Sequence, residues 1–130
     1  MTLSGTDDSR QAHAGGRLLL LIDDDDAIRD SIADVLTGEG FDVTCASNGH
    51  EGLALLRDGG LWPCLVLLDW MMPVMDGEEF LRRVRADERL KDINVIAISA
   101  STKMPPDVPH IRKPFDLEEF LSVVQRFCRT

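Results

Sequence analysis

Three observations predict an α/β fold with a doubly wound five-stranded parallel sheet. The apolar runs are short and continuous, helix-like segments separate them, and acidic or polar residues close several of them. Runs that are apolar throughout suit parallel strands covered on both faces, because neither side of such a sheet meets water. Strand and helix in alternation then imply right-handed crossovers and an open sheet. The five runs are LLLLI (18–22), DVTCA (42–46), CLVLL (64–68), NVIAIS (94–99) and a short HIRK (110–113).

The intervening helices follow from stripes and caps. Ile28, Ile32, Val35 and Leu36 fall at i, i+4, i+7 and i+8, one apolar stripe closed by Gly38 or Gly40. Asn48 followed by Glu51 marks the next start, and Gly59-Gly60 its end. The third helix starts at Asp76, has Glu79 three residues on, and turns Phe80, Leu81 and Val84 inward. The last starts at Asp116 with Glu119, and Phe115 and Phe120 take the two positions of a hydrophobic staple. Residues 1–16 are polar and without periodicity, so they read as a flexible N-terminal tail ahead of one domain, 17–130. His13 in that tail and His50 in a first helical turn read as solvated residues.

With 130 residues, 44% of them hydrophobic, the chain is large enough to bury a core without a disulfide or structural metal. The balance of 14 basic against 23 acidic residues, net −9, lacks the clustered cations that phosphate backbones require. Nucleic acid is therefore not an expected partner, and protein or cation partners are. Cys45, Cys64 and Cys128 show no metal or redox spacing, so the expectation is reduced, mostly buried thiols. No run approaches the ~20 apolar residues of a membrane span and no leader pattern is present, so no membrane insertion and a cytoplasmic location are expected.

Function should lie at the strand ends, since open sheets of this kind bind ligands beyond the carboxyl ends of their strands. Those ends supply Asp23 and Asp24, then Asp69, Ser99 and Lys113. Like charges about 4 Å apart repel by roughly 4 kcal/mol at an effective dielectric near 20, so an acidic cluster of this kind calls for a cation. An all-oxygen donor set favours hard Mg²⁺. Asp25 and Asp26, further along the same acidic run, suit capping of the next helix or solvation.

The segments LLIDDDDAIRD, LVLLDWMMPVMDG, VIAISA and RKPFD, in that order, resemble the receiver domain of two-component response regulators. The resemblance runs from about Arg17 to the C-terminus. It implies a flavodoxin-like sheet and a phosphoacceptor signalling domain in place of a turnover enzyme. Asp69 would be the phosphoryl acceptor, and Asp24, supported by Asp23, a Mg²⁺ ligand. Asp69 itself and the backbone carbonyl of Met71 would complete the protein's ligands. Ser99 would hydrogen-bond the phosphoryl group and Lys113 would neutralise one of its oxygens, with a cis Lys113-Pro114 bond directing it to the site. The implied donor is the phosphohistidine of a histidine kinase or phosphotransfer protein, with an unknown protein downstream. Residues two beyond the acceptor and the hydroxyl, Met71 and Ser101, would influence water access. Apart from Met71's carbonyl, the cluster Met71, Met72 and Met75 reads as loop packing.

The chain departs from the family between Ser99 and Lys113. Only 14 positions separate them (113 minus 99), and Pro105, Pro106 and Pro109 occupy part of that span. The family's fourth helix is therefore expected to be short or absent. His110 occupies the family's switch aromatic position, where an imidazole either plays that part or is a surface residue. The leading expectation is a stand-alone receiver signalling by altered protein binding. Its alternative is a phosphorylation-independent interaction module. A phosphohydrolase is disfavoured because DWMMP lacks a second Asp for acid/base work, and a nucleotide-binding protein because no GxxxxGK[ST] or GxGxxG occurs.

Overall fold

Each strand divides its side chains between two layers, which is why the runs are apolar at every position. The computed structural model describes residues 17–72, 74–100 and 108–128. The elements are β1 (Leu18–Ile22), α1 (Asp26–Gly38), β2 (Asp42–Ala46), α2 (Gly49–Arg57), β3 (Leu65–Asp69), α3 (Gly77–Ala86), β4 (Val95–Ser99), β5 (His110–Arg112) and α4 (Leu117–Phe127). All pairings are parallel and the sheet order is β2-β1-β3-β4-β5. This is the flavodoxin-like order, with its topological switch point between β1 and β3.

On one face Leu20, Ile22, Val66 and Leu68 pack with Leu53, Leu56, Phe80 and Val84. On the other, Leu19, Leu21, Leu65 and Leu67 pack with Ile32, Leu36, Phe120 and Val124. Alternation within each strand thus feeds α2 and α3 on one side and α1 and α4 on the other. Fully burying a side chain of this size contributes about 1.5–3 kcal/mol, so the two layers hold the strand ends in place.

The helix starts are where the caps predict. Asp25 Oδ1 accepts from Ile28 N at 3.0 Å, Asn48 Oδ1 from Glu51 N at 2.9 Å and Asp76 Oδ1 from Glu79 N at 2.9 Å. Asp116 accepts from Glu118 N at 3.0 Å, one residue earlier than the expected Glu119. Each cap contributes about 1 kcal/mol. The staple before α4 is a stacked ring pair, with the Phe115 and Phe120 centroids 4.7 Å apart.

Four expectations need correction. The third strand is displaced by one residue, so Asp69 is its last member. Ile28 is 37% exposed and lines the acidic cavity, and of the stripe only Ile32 and Leu36 are buried. Of the cluster expected to pack within the loop, Met72 and Met75 are buried in the core, whereas Met71 is 58% exposed. Cys64 and Cys128 are not free thiols: they form a disulfide with Cα atoms 5.4 Å apart, and Cys45 is an exposed free cysteine. Sixty-four positions separate the pair, and only the finished fold brings the start of β3 to the end of α4.

β5 begins eleven positions after β4 ends (110 minus 99), and among the described residues no helix lies between them. Ser101, Pro105 and Pro106 lie outside the described residues, as do residues 1–16 of the expected tail. Among the described residues no helix is long and apolar enough to cross a membrane.

Candidate functional site

The switch point between β1 and β3 sets two acidic strand ends side by side. β1 delivers Asp23 and Asp24, and β3 delivers Asp69 as its final residue. One carboxylate oxygen from each of these three lies within 4.8 Å of the others. Asp23 and Asp69 are buried, at 2% and 7% exposure, while Asp24 faces solvent.

Asp23 is held at both oxygens. Oδ1 accepts from Asp25 N at 2.9 Å, and Oδ2 meets Lys113 Nζ at 3.4 Å. Its own carbonyl accepts from Arg29 Nη1 at 2.9 Å, and Arg29 Nη2 also bonds Asp26 Oδ1 at 2.6 Å. Arg29 therefore ties the first turn of α1 to the end of β1. The sequence reading missed this residue, although the Asp26/Arg29 spacing of an i,i+3 pair was there to signal it.

Asp69 Oδ1 accepts from Met71 N at 3.2 Å. Burial, followed by the charge of Asp23, pushes the Asp69 carboxyl from 3.8 up to about 7. Lys113 and the Met71 amide pull it back only in part, and a hydrogen bond with Asp24 raises it further. Two carboxyl groups this close share a proton when nothing else joins them. The donors are all hard oxygens, and their crowding raises the Asp69 carboxyl, so the set fits a divalent cation.

Lys113 follows β5, and its amide donates to Ser99 O at 2.8 Å. The Lys113-Pro114 bond is cis, as expected. Ser99 ends β4 and is 1% exposed. Asp23, Asp24, Asp69, Met71, Ala100 and Lys113 line one cavity of about 500 Å³. His110 is exposed at the start of β5, opposite Ala97 in register, and does not line that cavity.

The loop after Asp69 is set by Trp70 and Gly77. Gly77 N donates to Trp70 O at 3.1 Å, and a Cβ on Gly77 would stand 2.9 Å from Trp70 Cα. Only glycine allows α3 to start this close to the strand end. This close approach is not displayed by sequence spacing, because it depends on how α3 docks against the end of β3.

Comparison with known proteins agrees with the geometry. The family model for the response regulator receiver domain matches residues 19–125. The "DNA-binding dual master transcriptional regulator RpaA" of Synechocystis is 37% identical over 119 residues, covering 85% of this chain and 48% of that protein. The "Regulatory protein AtoC" of Escherichia coli is 32% identical over 114 residues, covering 83% and 24%. The chain thus spans from about a quarter to about half the length of these two curated relatives. Among solved structures, a CheY-like receiver domain protein from Methanospirillum hungatei matches with TM-score 0.75 and 28% identity, over 85% of this chain and 93% of that one. The response regulator TrrA from Thermotoga maritima, solved in complex with Mg²⁺-BeF, matches with TM-score 0.74 and 26% identity, over 85% and 98%. The sheet order, the acidic strand ends and these matches converge: this chain belongs to the response regulator receiver domain family of two-component signalling.

Proposed function

We propose that this domain accepts a phosphoryl group on Asp69, with Mg²⁺ held by Asp24, Asp69 and the Met71 carbonyl and supported by Asp23. One observation carries the reading: the Asp69 carboxyl, buried at the end of β3, lies within 4.8 Å of the Asp23 and Asp24 carboxylates in a cavity that Lys113 also lines. A carboxylate is a weak nucleophile, so transfer depends on alignment and on stabilising charge on the phosphoryl oxygens. Mg²⁺ held by these carboxylates would supply part of that charge and favour the ionised, nucleophilic form of Asp69. Lys113 supplies the rest, and Asp23 keeps its ammonium at the cavity. Ser99 ends β4 beside Ala100, which lines the cavity, and its hydroxyl would hydrogen-bond the phosphoryl group. Met71 N–H fixes one Asp69 oxygen and leaves the other for attack.

A histidine kinase or phosphotransfer protein is the donor that family membership favours, and the product signals by altered protein binding. The shortened β4–β5 connection marks a changed reader surface, with His110 exposed beside it. The test is metal binding on the purified chain. Mg²⁺ should raise the melting temperature of the wild type and leave Asp24→Asn unchanged, whereas equal stabilisation of both would remove the assignment of the metal ligands.

A further inference from the structure

The end of the sheet opposite the acidic cavity holds the Cys64–Cys128 disulfide. Cys64 stands just before β3, whose other end is Asp69, and Cys128 caps the end of α4. The two sulfurs are not equally reachable. Cys128 is 1% exposed, whereas Cys64 is half-buried and lines a cleft of about 190 Å³ with Trp62, Pro63, Asn94 and Phe127. Leu18 O lies 3.2 Å from Cys64 Sγ. In the disulfide that sulfur has no proton to donate. Once reduced, the thiol has an acceptor already in place, so the fold accommodates both redox states.

We propose that Cys64 and Cys128 form a reversible redox pair, with Cys64 the sulfur that exchanges with an external thiol, and that reduction releases the end of α4 from the sheet. An external thiolate attacks Cys64 Sγ through the cleft, the Cys64–Cys128 bond breaks, and Cys128 leaves as a thiolate that takes up a proton. A second external thiolate attacks the mixed disulfide, giving an external disulfide and the Cys64 thiolate, which is protonated in turn. Two external thiols thus lose two electrons and two protons, and the pair gains both. Exchange proceeds at the sulfur that can be approached, which here is Cys64. Asp92 also lines the cleft and sets negative charge near that path, so a neutral or cationic thiol is favoured over an anionic one.

In the oxidised chain, the bond pins the last turn of α4, where Cys128 N donates to Val124 O at 3.1 Å. The last helix therefore carries a redox-dependent anchor at the end remote from Lys113.

The test uses the full chain with Cys45→Ser, which removes the exposed third thiol. The protein is equilibrated without denaturant in reduced/oxidised cysteamine mixtures, quenched with an alkylating reagent and weighed intact. The expected result is a two-thiol change that reverses when the mixture is made oxidising again. With Cys128→Ser added, Cys64 should form the mixed disulfide rapidly. With Cys64→Ser added, Cys128 should react at least roughly tenfold more slowly, as expected for a thiol reached only by local opening. Hydrogen exchange at the last turn of α4 should quicken on reduction, with β3 unchanged. A bond that opens only in denaturant, thiols that never pair, or equal reactivity of the two cysteines would each overturn the proposal.

Discussion

Lys113 Nζ lies 3.4 Å from Asp23 Oδ2, joining residues 90 positions apart across the open end of the sheet. Asp23 is almost fully buried and Lys113 is 20% exposed at its side chain. Removing one partner of such a pair leaves the other charge in a poorly solvated place. Lys113→Met should therefore lower the stability of the metal-free chain by about 1–3 kcal/mol, measured by urea unfolding. No loss would mean that the ion pair does not hold β5 to β1.

The raised Asp69 carboxyl makes the metal-free fold sensitive to pH. Its value in the folded chain, about 7, stands above the ordinary 3.8, so between those limits the folded state holds a proton that the unfolded state has released. The contribution is complete below about pH 4 and is lost as pH rises through 7. Melting curves without divalent cation should fall across that window. Asp69→Asn should flatten the fall and be the more stable protein at pH 8, and added Mg²⁺ should restore the wild type there but not the variant. A wild-type curve that rises from pH 5 to 8 without metal would contradict the electrostatics.

Gly77 has no room for a methyl group. A Cβ there would stand 2.5 Å from Trp70 Cε3 and 2.9 Å from Trp70 Cα, and the second contact is backbone that cannot swing away. Gly77→Ala should cost about 1–3 kcal/mol, as overpacking does, and should slow phosphorylation by moving the residue that follows Asp69. Wild-type stability together with a wild-type rate would show that the loop tolerates displacement.

Met71 has an exposed thioether, which cannot orient an attacking water as an amide can. Loss of phosphate from the wild type should be slower than from Met71→Asn. One hydrogen bond of about 1 kcal/mol corresponds to roughly a fivefold difference. Decay of the labelled phosphoprotein after removal of the donor measures it, and equal or faster loss from the wild type would refute it.

The caps were legible because each is local: Asn48 and Asp76 meet an amide only three residues on. The gathering of Asp23, Asp24 and Asp69 was legible for another reason, since strand order in a doubly wound sheet dictates which strand ends adjoin. Features set by how far an element extends were not. Ile28 belongs to the same helical stripe as Ile32, yet it is exposed because it borders the open acidic cavity, which only the assembled strand ends create. The Cys64–Cys128 pair was misread because its spacing follows no local motif and only the docking of α4 closes it. Arg29 shows its Asp26 pairing in the sequence spacing, but its bond to the Asp23 carbonyl is to backbone, which sequence does not display.

The proposed chemistry makes Asp69 the phosphoryl acceptor in a metal-dependent site. Intact mass after incubation with acetyl phosphate and Mg²⁺ tests it most directly, on the wild type and Asp69→Ala, each with and without EDTA. One hydroxylamine-labile phosphoryl group is expected on the wild type with Mg²⁺, and none with EDTA or on Asp69→Ala. The same labile adduct on Asp69→Ala, or one on the wild type that is indifferent to EDTA, would contradict it.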